Sequence, residues 1–175
     1  MLRHRKANRL KGYNYSKDNL YFVTSCVQDR ICCFGEIVDD DMVLNDYGKI
    51  ANEKWHWLAE QYPYVVLHEF IVMPDHIHGI IEINRERIVV GAGRDLSLTK
   101  LKIKSLSELM GAFKTAVSKQ IHLIGYNEFR WQRSFHDHII RDDESYERIA
   151  NYILNNPEKW TGDKFNAKKN LPQKG

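Results

Sequence analysis

The 175-residue sequence is poor in the features that mark several large classes of protein. It has three cysteines, two of them adjacent at Cys32 and Cys33, so a disulfide framework is not expected. We therefore expect a reducing, cytoplasmic compartment. Ten glycines and four prolines, beside 43% hydrophobic residues, exclude collagen-like and low-complexity chains. Apolar runs of only a few residues predict no membrane span and no secretory signal. One ordinary soluble domain is the expectation that remains.

The net charge of +3 is unevenly distributed along the chain. Residues 1–17 carry six basic and no acidic side chains, and residues 94–120 carry six basic and two acidic ones. Residues 36–62 carry seven acidic and two basic side chains. Separate basic blocks suit a polyanion that is held at particular places, but a solvated terminus and a polar helix face give the same pattern. Charge alone therefore leaves nucleic-acid binding undecided.

Hydrophobic periodicity predicts four strands and three helices. The strands are expected at 20–27, 64–73, 76–83 and 131–140, and the helices at 45–61, 105–124 and 142–155. Their candidate N-caps are Asn45 or Asp46, Ser105 or Ser107, and Asp142 or Asp143. Residues 84–97 show no periodicity and are predicted to form a loop. This order predicts an α+β, ferredoxin-like split βαβ fold, with an antiparallel four- to five-stranded sheet, helices on one face and an appended C-terminal helix. The other face is expected to be available for a ligand.

Two histidines, His76 and His78, lie on the predicted strand 76–83. Alternate side chains of a strand share a face, so the two imidazoles project together, about 7 Å apart along the strand. With a third ligand from another element they can bind one divalent cation, whereas solvated surface histidines are the alternative interpretation. Ile80 holds the next alternate position. The sequence therefore lacks the triplet of alternating histidines that a rival family of nucleotide hydrolases and transferases uses.

The last predicted helix carries Tyr152, and Asn156 follows four residues later, close enough to the helix end to adopt cap geometry. At that spacing they lie one above the other, beside an apolar stripe that contains Ile149 and Ile153. A phenol and an amide oxygen are thus presented together. Amphipathic packing of Tyr152 and helix termination by Asn156 before Pro157 are the alternative interpretation.

Two weaker candidates lie on other predicted strands. His68 and Glu69 are each able to hydrogen-bond a ligating histidine, with burial or solvation as the alternative. His136 and His138 again share a strand face and are interpreted as structural or DNA-contacting residues.

A histidine pair on a strand, followed by a tyrosine on a later helix, resembles the HUH single-strand nucleases. Within them the sequence resembles the IS200-like (Y1) transposases, and most of all the REP-associated tyrosine transposases. The matching stretches span most of residues 10–160 and are Tyr21-Phe22-Val23-Thr24, Asp29-Arg30, Phe34-Gly35-Glu36, residues 72–81, 105–119 and 131–135, and Asn155-Asn156-Pro157. The linked set is specific, whereas any one member is weak.

The resemblance implies cleavage and rejoining of single-stranded DNA through a 5′-phosphotyrosine intermediate. It assigns the nucleophile to Tyr152, and the ligands of a Mg²⁺ or Mn²⁺ ion to His76, His78 and Asn156. It also implies a single HUH domain at residues 18–158, between a basic arm at 1–17 and a polar basic tail at 159–175. A monomer is favoured, and a dimer in which one subunit's tyrosine serves the other's metal site stays open.

The implied partner is single-stranded or hairpin DNA, and a domesticated DNA-binding protein without turnover is the alternative. Such a ligand needs phosphate contacts and surfaces on which bases stack. The candidate DNA-binding residues are Arg3, Arg5, Lys6, Arg9, Lys11, Lys100, Lys102, Lys104, Lys114, Trp131, Arg133 and Arg141.

Overall fold

A computed structural model of the chain describes residues 19–91 and 102–160. The strands of this part are β1 (Asn19–Cys26), β2 (Gly35–Val38), β3 (Asp41–Leu44), β4 (Val65–Met73), β5 (His76–Ile83) and β6 (His136–Ile140). The helices are α1 (Asp46–Gln61), α2 (Glu86–Gly91), α3 (Leu106–Leu123), α4 (Asp143–Leu154) and α5 (Asn156–Lys159), and Gln28–Arg30 form a 3₁₀ turn. The predicted basic arm, Lys100 and the tail after residue 160 lie outside the described residues.

Side-chain caps explain where the three long helices begin. The Asn45 side chain accepts a hydrogen bond from the backbone N–H of the first turn of α1, and Asp142 does the same for α4. Ser105 and Glu108 form a reciprocal capping box at the start of α3. The first of each pair of predicted caps is therefore the one that the fold uses.

β4, β5, β1 and β6 form one antiparallel sheet in that order. Within this sheet, β1 precedes α1 and β4 follows it, and β5 lies between these two strands. Likewise β5 precedes α3 and β6 follows it, and β1 lies between them. This is the split βαβ arrangement, and the predicted fold class is confirmed.

The two faces of the sheet are covered differently. Inward-facing residues of α1 and α3, among them Trp55 and Phe113, pack on one face and form the main core. On the other face a smaller cluster joins Ile80 and Ile140 of the sheet to Ala150 and Ile153 of α4. The face that was expected to be available for a ligand is thus partly covered by the appended helix, which leaves a cleft beside it.

Gly79 of β5 allows α1 to approach the sheet closely. A Cβ atom at this position would lie 2.4 Å from Cζ2 of Trp55, whose ring stacks on Phe70 with centroids 4.4 Å apart. That ring is fully buried, so it has little room to yield.

Gly79→Ala is expected to lower the free energy of unfolding by roughly 1–3 kcal/mol, because it overpacks this contact. Gly111→Ala is the matched control, since nothing lies within 4 Å of its added Cβ on the exposed face of α3. In a helix interior that change is expected to stabilise by up to about 1 kcal/mol. Urea unfolding measures the free energy of unfolding of both variants. Equal changes in that free energy would contradict the packing argument.

Several boundaries differ from the predictions. β2 and β3 form a hairpin that the sequence reading missed, because its turn uses Asp39 and Asp40 at positive φ (49° and 65°) instead of the usual Asn-Gly. α2 lies within the predicted loop, and β6 begins five residues later than expected because Trp131 makes only an isolated bridge to Val27. Within the described ranges, we find no helix with the length and hydrophobicity needed to cross a membrane.

Candidate active site

The two histidines of β5 are buried on the face of the sheet that carries α4. His76 is 3% and His78 is 5% exposed, and Ile77 between them belongs to the core on the opposite face. Solvated surface positions, the alternative interpretation, are therefore wrong for both residues. The shared face follows from the period of two residues in a strand.

Both imidazoles are held by their Nδ1 atoms. His76 Nδ1 lies 2.6 Å from Oδ1 of Asp75, and His78 Nδ1 lies 2.7 Å from Oγ1 of Thr24. A carboxylate can only accept, so His76 donates from Nδ1 to Asp75, and in a neutral ring that tautomer leaves the lone pair on Nε2. The two Nε2 atoms face each other at 3.0 Å.

This arrangement fits a divalent cation. Two donors in adjacent positions around one cation, each about 2.1 Å from it, lie about 3 Å apart. Burial, together with the electrostatic influence of the neighbouring His76 and Arg30, lowers the pKa of His78 well below its ordinary value of 6.5, so its ring stays neutral. Among the described residues, no three His, Cys, Asp or Glu side chains group around one point as metal ligands do. A cation at this pair would need further ligands of another type, such as an amide, a phosphate or water.

Tyr152 of α4 reaches the same point. Its Oη lies 3.4 Å from Nε2 of His78 in the same chain, and 43% of the residue is exposed. The ring meets His78 and Phe22 edge-on, with centroids 5.2 Å and 6.1 Å away. Its oxygen is thus positioned beside the histidine pair while remaining accessible to a ligand.

Asn156 is buried, whereas Tyr152 is partly exposed. α4 ends at Leu154, and Asn156 begins α5 as a buried residue. One residue, Asn155, separates the two helices, and the predicted placement of the two side chains one above the other stays a prediction. α5 nevertheless lies close to the site, since the ring of Trp160, which follows it, is 5.9 Å from that of His76. The role of Asn156 as a ligand stays a prediction.

A cleft of about 370 Å³ opens at this point. The strand register explains why three of its lining residues are neighbours, because Thr24 of β1 pairs with His78 of β5 on one side and with His136 of β6 on the other. The lining residues are Thr24, Cys26, Arg30, His76, His78, Gln132, His136 and Tyr152. Four of them, Thr24, Cys26, Arg30 and Gln132, are residues to which sequence reasoning gave no role at the site.

Arg30 and Asp75 are the most informative of the missed residues. Nε of Arg30 lies 2.8 Å from Oδ2 of Asp75, whose other oxygen bonds His76. Asp75 stands next to the histidine pair in the sequence, which was a local signal of its role. Arg30 is 45 positions earlier, and only the fold brings the two together.

Two of the predicted DNA-binding residues are used inside the fold. Nζ of Lys114 donates to the backbone carbonyl oxygens of Gln132 and Arg133, at 2.6 and 3.3 Å, and so fixes the segment that lines the cleft. The Trp131 ring packs among aromatic rings of the core, including Phe34 and Phe129. The DNA-binding roles of Lys114 and Trp131 stay predictions.

Other predicted DNA-binding residues are spread around the described surface. The backbone N–H of Lys104 donates to the Tyr64 hydroxyl, next to the start of β4 and the end of β5. That end of the sheet is about 23 Å from His76. Lys102 lies two residues from Lys104, and Arg141 lines a separate cavity at the same end of the sheet. Arg133 is exposed and directly follows Gln132, which lines the cleft.

His68 and Glu69 are not partners of the histidine pair. His68 bonds Glu82 and the Tyr146 hydroxyl, which in turn donates to Glu69. These bonds attach the first half of α4 to strands β4 and β5. Burial and the bond to Glu69 raise the pKa of Tyr146 to about 12.

Sequence comparison places the chain among known proteins. No protein-family model matches it. It is 38% identical over 170 residues to an uncharacterized protein of Haemophilus influenzae, with 94% of each chain covered. A second protein of that organism, named "putative REP-associated tyrosine transposase", is 25% identical over 154 residues, which are 83% of this chain and 74% of the relative.

Structural comparison agrees with the sequence. The fold is similar to that of a REP-associated tyrosine transposase solved with a REP hairpin, with a TM-score of 0.56 and 18% identity over 86% of this chain and 73% of the other. These comparisons support the resemblance of the chain to the IS200-like transposases. In this chain the histidine pair and the tyrosine, which lie 74 residues apart in the sequence, meet at one cleft.

Proposed function

We propose that this protein cleaves and rejoins single-stranded DNA, with Tyr152 as the nucleophile. The observation that carries the proposal is the 3.4 Å separation between Tyr152 Oη and His78 Nε2 in a cleft that is open to solvent. A nucleophile beside two buried imidazoles whose Nε2 atoms face each other is an arrangement suited to metal-assisted phosphoryl transfer.

The chemistry balances without another reactant. The Tyr152 oxygen bonds to phosphorus, the P–O3′ bond breaks, and a 5′-phosphotyrosine and a 3′-OH result. Because the tyrosine is partly exposed, its proton can pass to water, and the departing 3′ oxygen takes a proton from water in turn. Return attack by a 3′-OH reverses the step and joins a strand, so no nucleotide hydrolysis is required.

His76 and His78 hold their Nε2 atoms toward the cleft, and Asn156 is the proposed further ligand. A divalent cation bound there, Mg²⁺ or Mn²⁺, would polarise a phosphate oxygen and stabilise negative charge. Asp75 and Thr24 fix the direction of the two rings through their Nδ1 atoms, which is the usual support of ligating histidines.

We infer that hairpin DNA of the REP type is the substrate. The relative with the same fold was solved with a REP hairpin, and Arg30 and Arg133 lie in or beside the cleft. Tyr152 contacts the histidine of its own chain, which supports cleavage within one subunit and a functional monomer.

The function is tested by incubating the full chain with labelled hairpin DNA that has single-stranded flanks. With Mg²⁺ or Mn²⁺, we expect a covalent protein–DNA adduct that survives denaturing electrophoresis and a free 3′-OH on the released strand. With EDTA, neither is expected. Binding to hairpins without an adduct under any metal condition would instead support a DNA-binding protein without turnover.

A further inference from the structure

The segment after β1 carries an arginine in an unusual backbone conformation. Asp29 and Arg30 both have positive φ, 57° and 56°. Non-glycine residues rarely adopt this region, and they keep it where the surrounding structure holds them. Here backbone bonds hold the chain on both sides of the two residues, because the N–H of Gln28 donates to the Arg130 carbonyl oxygen and that of Cys33 to the Pro74 carbonyl oxygen.

The conformation directs the Arg30 guanidinium to the histidine pair. Its Nε lies 2.8 Å from Asp75 Oδ2, and its Nη1 donates to Sγ of Cys26 at 2.9 Å. The side chain still has 27% of its surface exposed, and it lines the cleft with His76 and Tyr152. Asp75 thus orients Arg30 and His76 at the same time, one with each oxygen.

Charge explains what such an arginine would bind. Of the residues that line the described cleft, Arg30 alone is permanently positive. A phosphodiester is an anion, and its charge grows as a nucleophile adds to phosphorus. Guanidinium groups match phosphate oxygens in geometry and keep their charge when partly buried.

We propose that Arg30 is a catalytic residue that binds a non-bridging oxygen of the scissile phosphate, while Asp75 is a positioning residue that aligns Arg30 with the histidine pair. The proposal rests on the proposed function, because it assigns a group to the phosphate that Tyr152 attacks. Arg30 donates hydrogen bonds to this oxygen, and the interaction strengthens as negative charge accumulates in the transition state.

The first test compares single-turnover cleavage of hairpin DNA by Arg30→Gln, Arg30→Lys and wild type at saturating Mn²⁺. Arg30→Gln is expected to be on the order of 10²-fold slower. Arg30→Lys is expected to be on the order of tenfold slower, because lysine keeps the positive charge but lacks the planar, paired N–H donors of a guanidinium. Arg148→Gln is the matched control, since this arginine on α4 is exposed, bonds Ser145 and does not line the cleft. This variant should cleave at the wild-type rate.

The second test separates phosphate binding from an effect that passes through Asp75 and His76. A hairpin with a neutral methylphosphonate at the scissile position removes the charge that Arg30 would bind. In a Tyr152→Phe background with EDTA, Arg30→Gln is expected to weaken binding of the normal hairpin about fivefold and of the methylphosphonate hairpin less than twofold. A purely structural role would weaken both equally.

The outcomes are distinguishable. If wild type forms no adduct with any hairpin, the proposed function fails. If wild type cleaves and Arg30→Gln cleaves within threefold of it, or loses affinity equally for both hairpins, the Arg30 assignment is overturned while the function stands. Thermal unfolding of each variant shows whether Arg30→Gln is folded. If it is not, the affinities of Arg30→Lys for the two hairpins are compared in the same way, and they decide the assignment.

Discussion

Tyr152→Phe is expected to abolish the covalent protein–DNA adduct, with a loss of at least about 10³-fold, because the substitution removes the attacking oxygen and nothing else. The ring contacts with Phe22 and His78 do not depend on the hydroxyl, so the fold and hairpin binding should be retained. Denaturing electrophoresis of labelled hairpin DNA measures the adduct. A binding titration with the same DNA shows that the variant still recognises its ligand.

Tyr146→Phe is the matched control, because Tyr146 is the other tyrosine of α4. It lies six residues earlier, about 9 Å along the helix axis, and its hydroxyl is bonded to Glu69. Its pKa of about 12 makes it a poorer source of phenolate than an ordinary tyrosine. We expect this variant to form adduct. An adduct that persists in Tyr152→Phe and disappears in Tyr146→Phe would overturn the assignment of the nucleophile.

His78→Asn is expected to remove metal-dependent cleavage, with a rate at least about 10³-fold lower. The reason is geometric, because an asparagine side chain is too short to place a donor atom where His78 Nε2 faces His76 Nε2. Calorimetric titration with Mn²⁺ should show binding by wild type and at least about 100-fold weaker binding by the variant. His56→Ala, an exposed histidine on α1, is the control and should match wild type in both measurements.

Thr24→Val refines the same prediction. The substitution is nearly isosteric and removes only the hydroxyl that lies 2.7 Å from His78 Nδ1. Groups that orient a ligating imidazole typically account for 10–100-fold in metal affinity, so an intermediate loss of about that size is expected. Unchanged Mn²⁺ binding in both Thr24→Val and His78→Asn would contradict a metal site at this pair.

Much of the fold was predictable because its signals are local. Alternating strands and amphipathic helices repeat over short distances, so the split βαβ order follows from periodicity and capping residues. The hairpin β2–β3 was not predicted, because two aspartates occupy its turn in place of the usual Asn-Gly. The short helix α5 was not predicted, because Pro157 lies in its first turn and a proline often marks the end of a helix instead.

The candidate site was predictable only in part. The common face of His76 and His78 is a property of one strand, so it followed from the sequence. The contacts of Arg30 with Asp75 and of Lys114 with the carbonyl oxygens of Gln132 and Arg133 join distant segments. No local pattern distinguishes these two basic residues from solvated ones, so neither contact was predicted.

By itself the sequence determined the fold class, the shared face of the histidine pair and a tyrosine on the last long helix, because each depends on spacing within one element. Tertiary structure decided the rest. It packed α4 on the side of the sheet that carries the histidines, brought Tyr152 to 3.4 Å from His78, and turned Arg30 into the cleft. The physical reason is that burial of apolar side chains such as Ile80 and Ile153 sets where elements meet, and only that meeting gives polar side chains their partners.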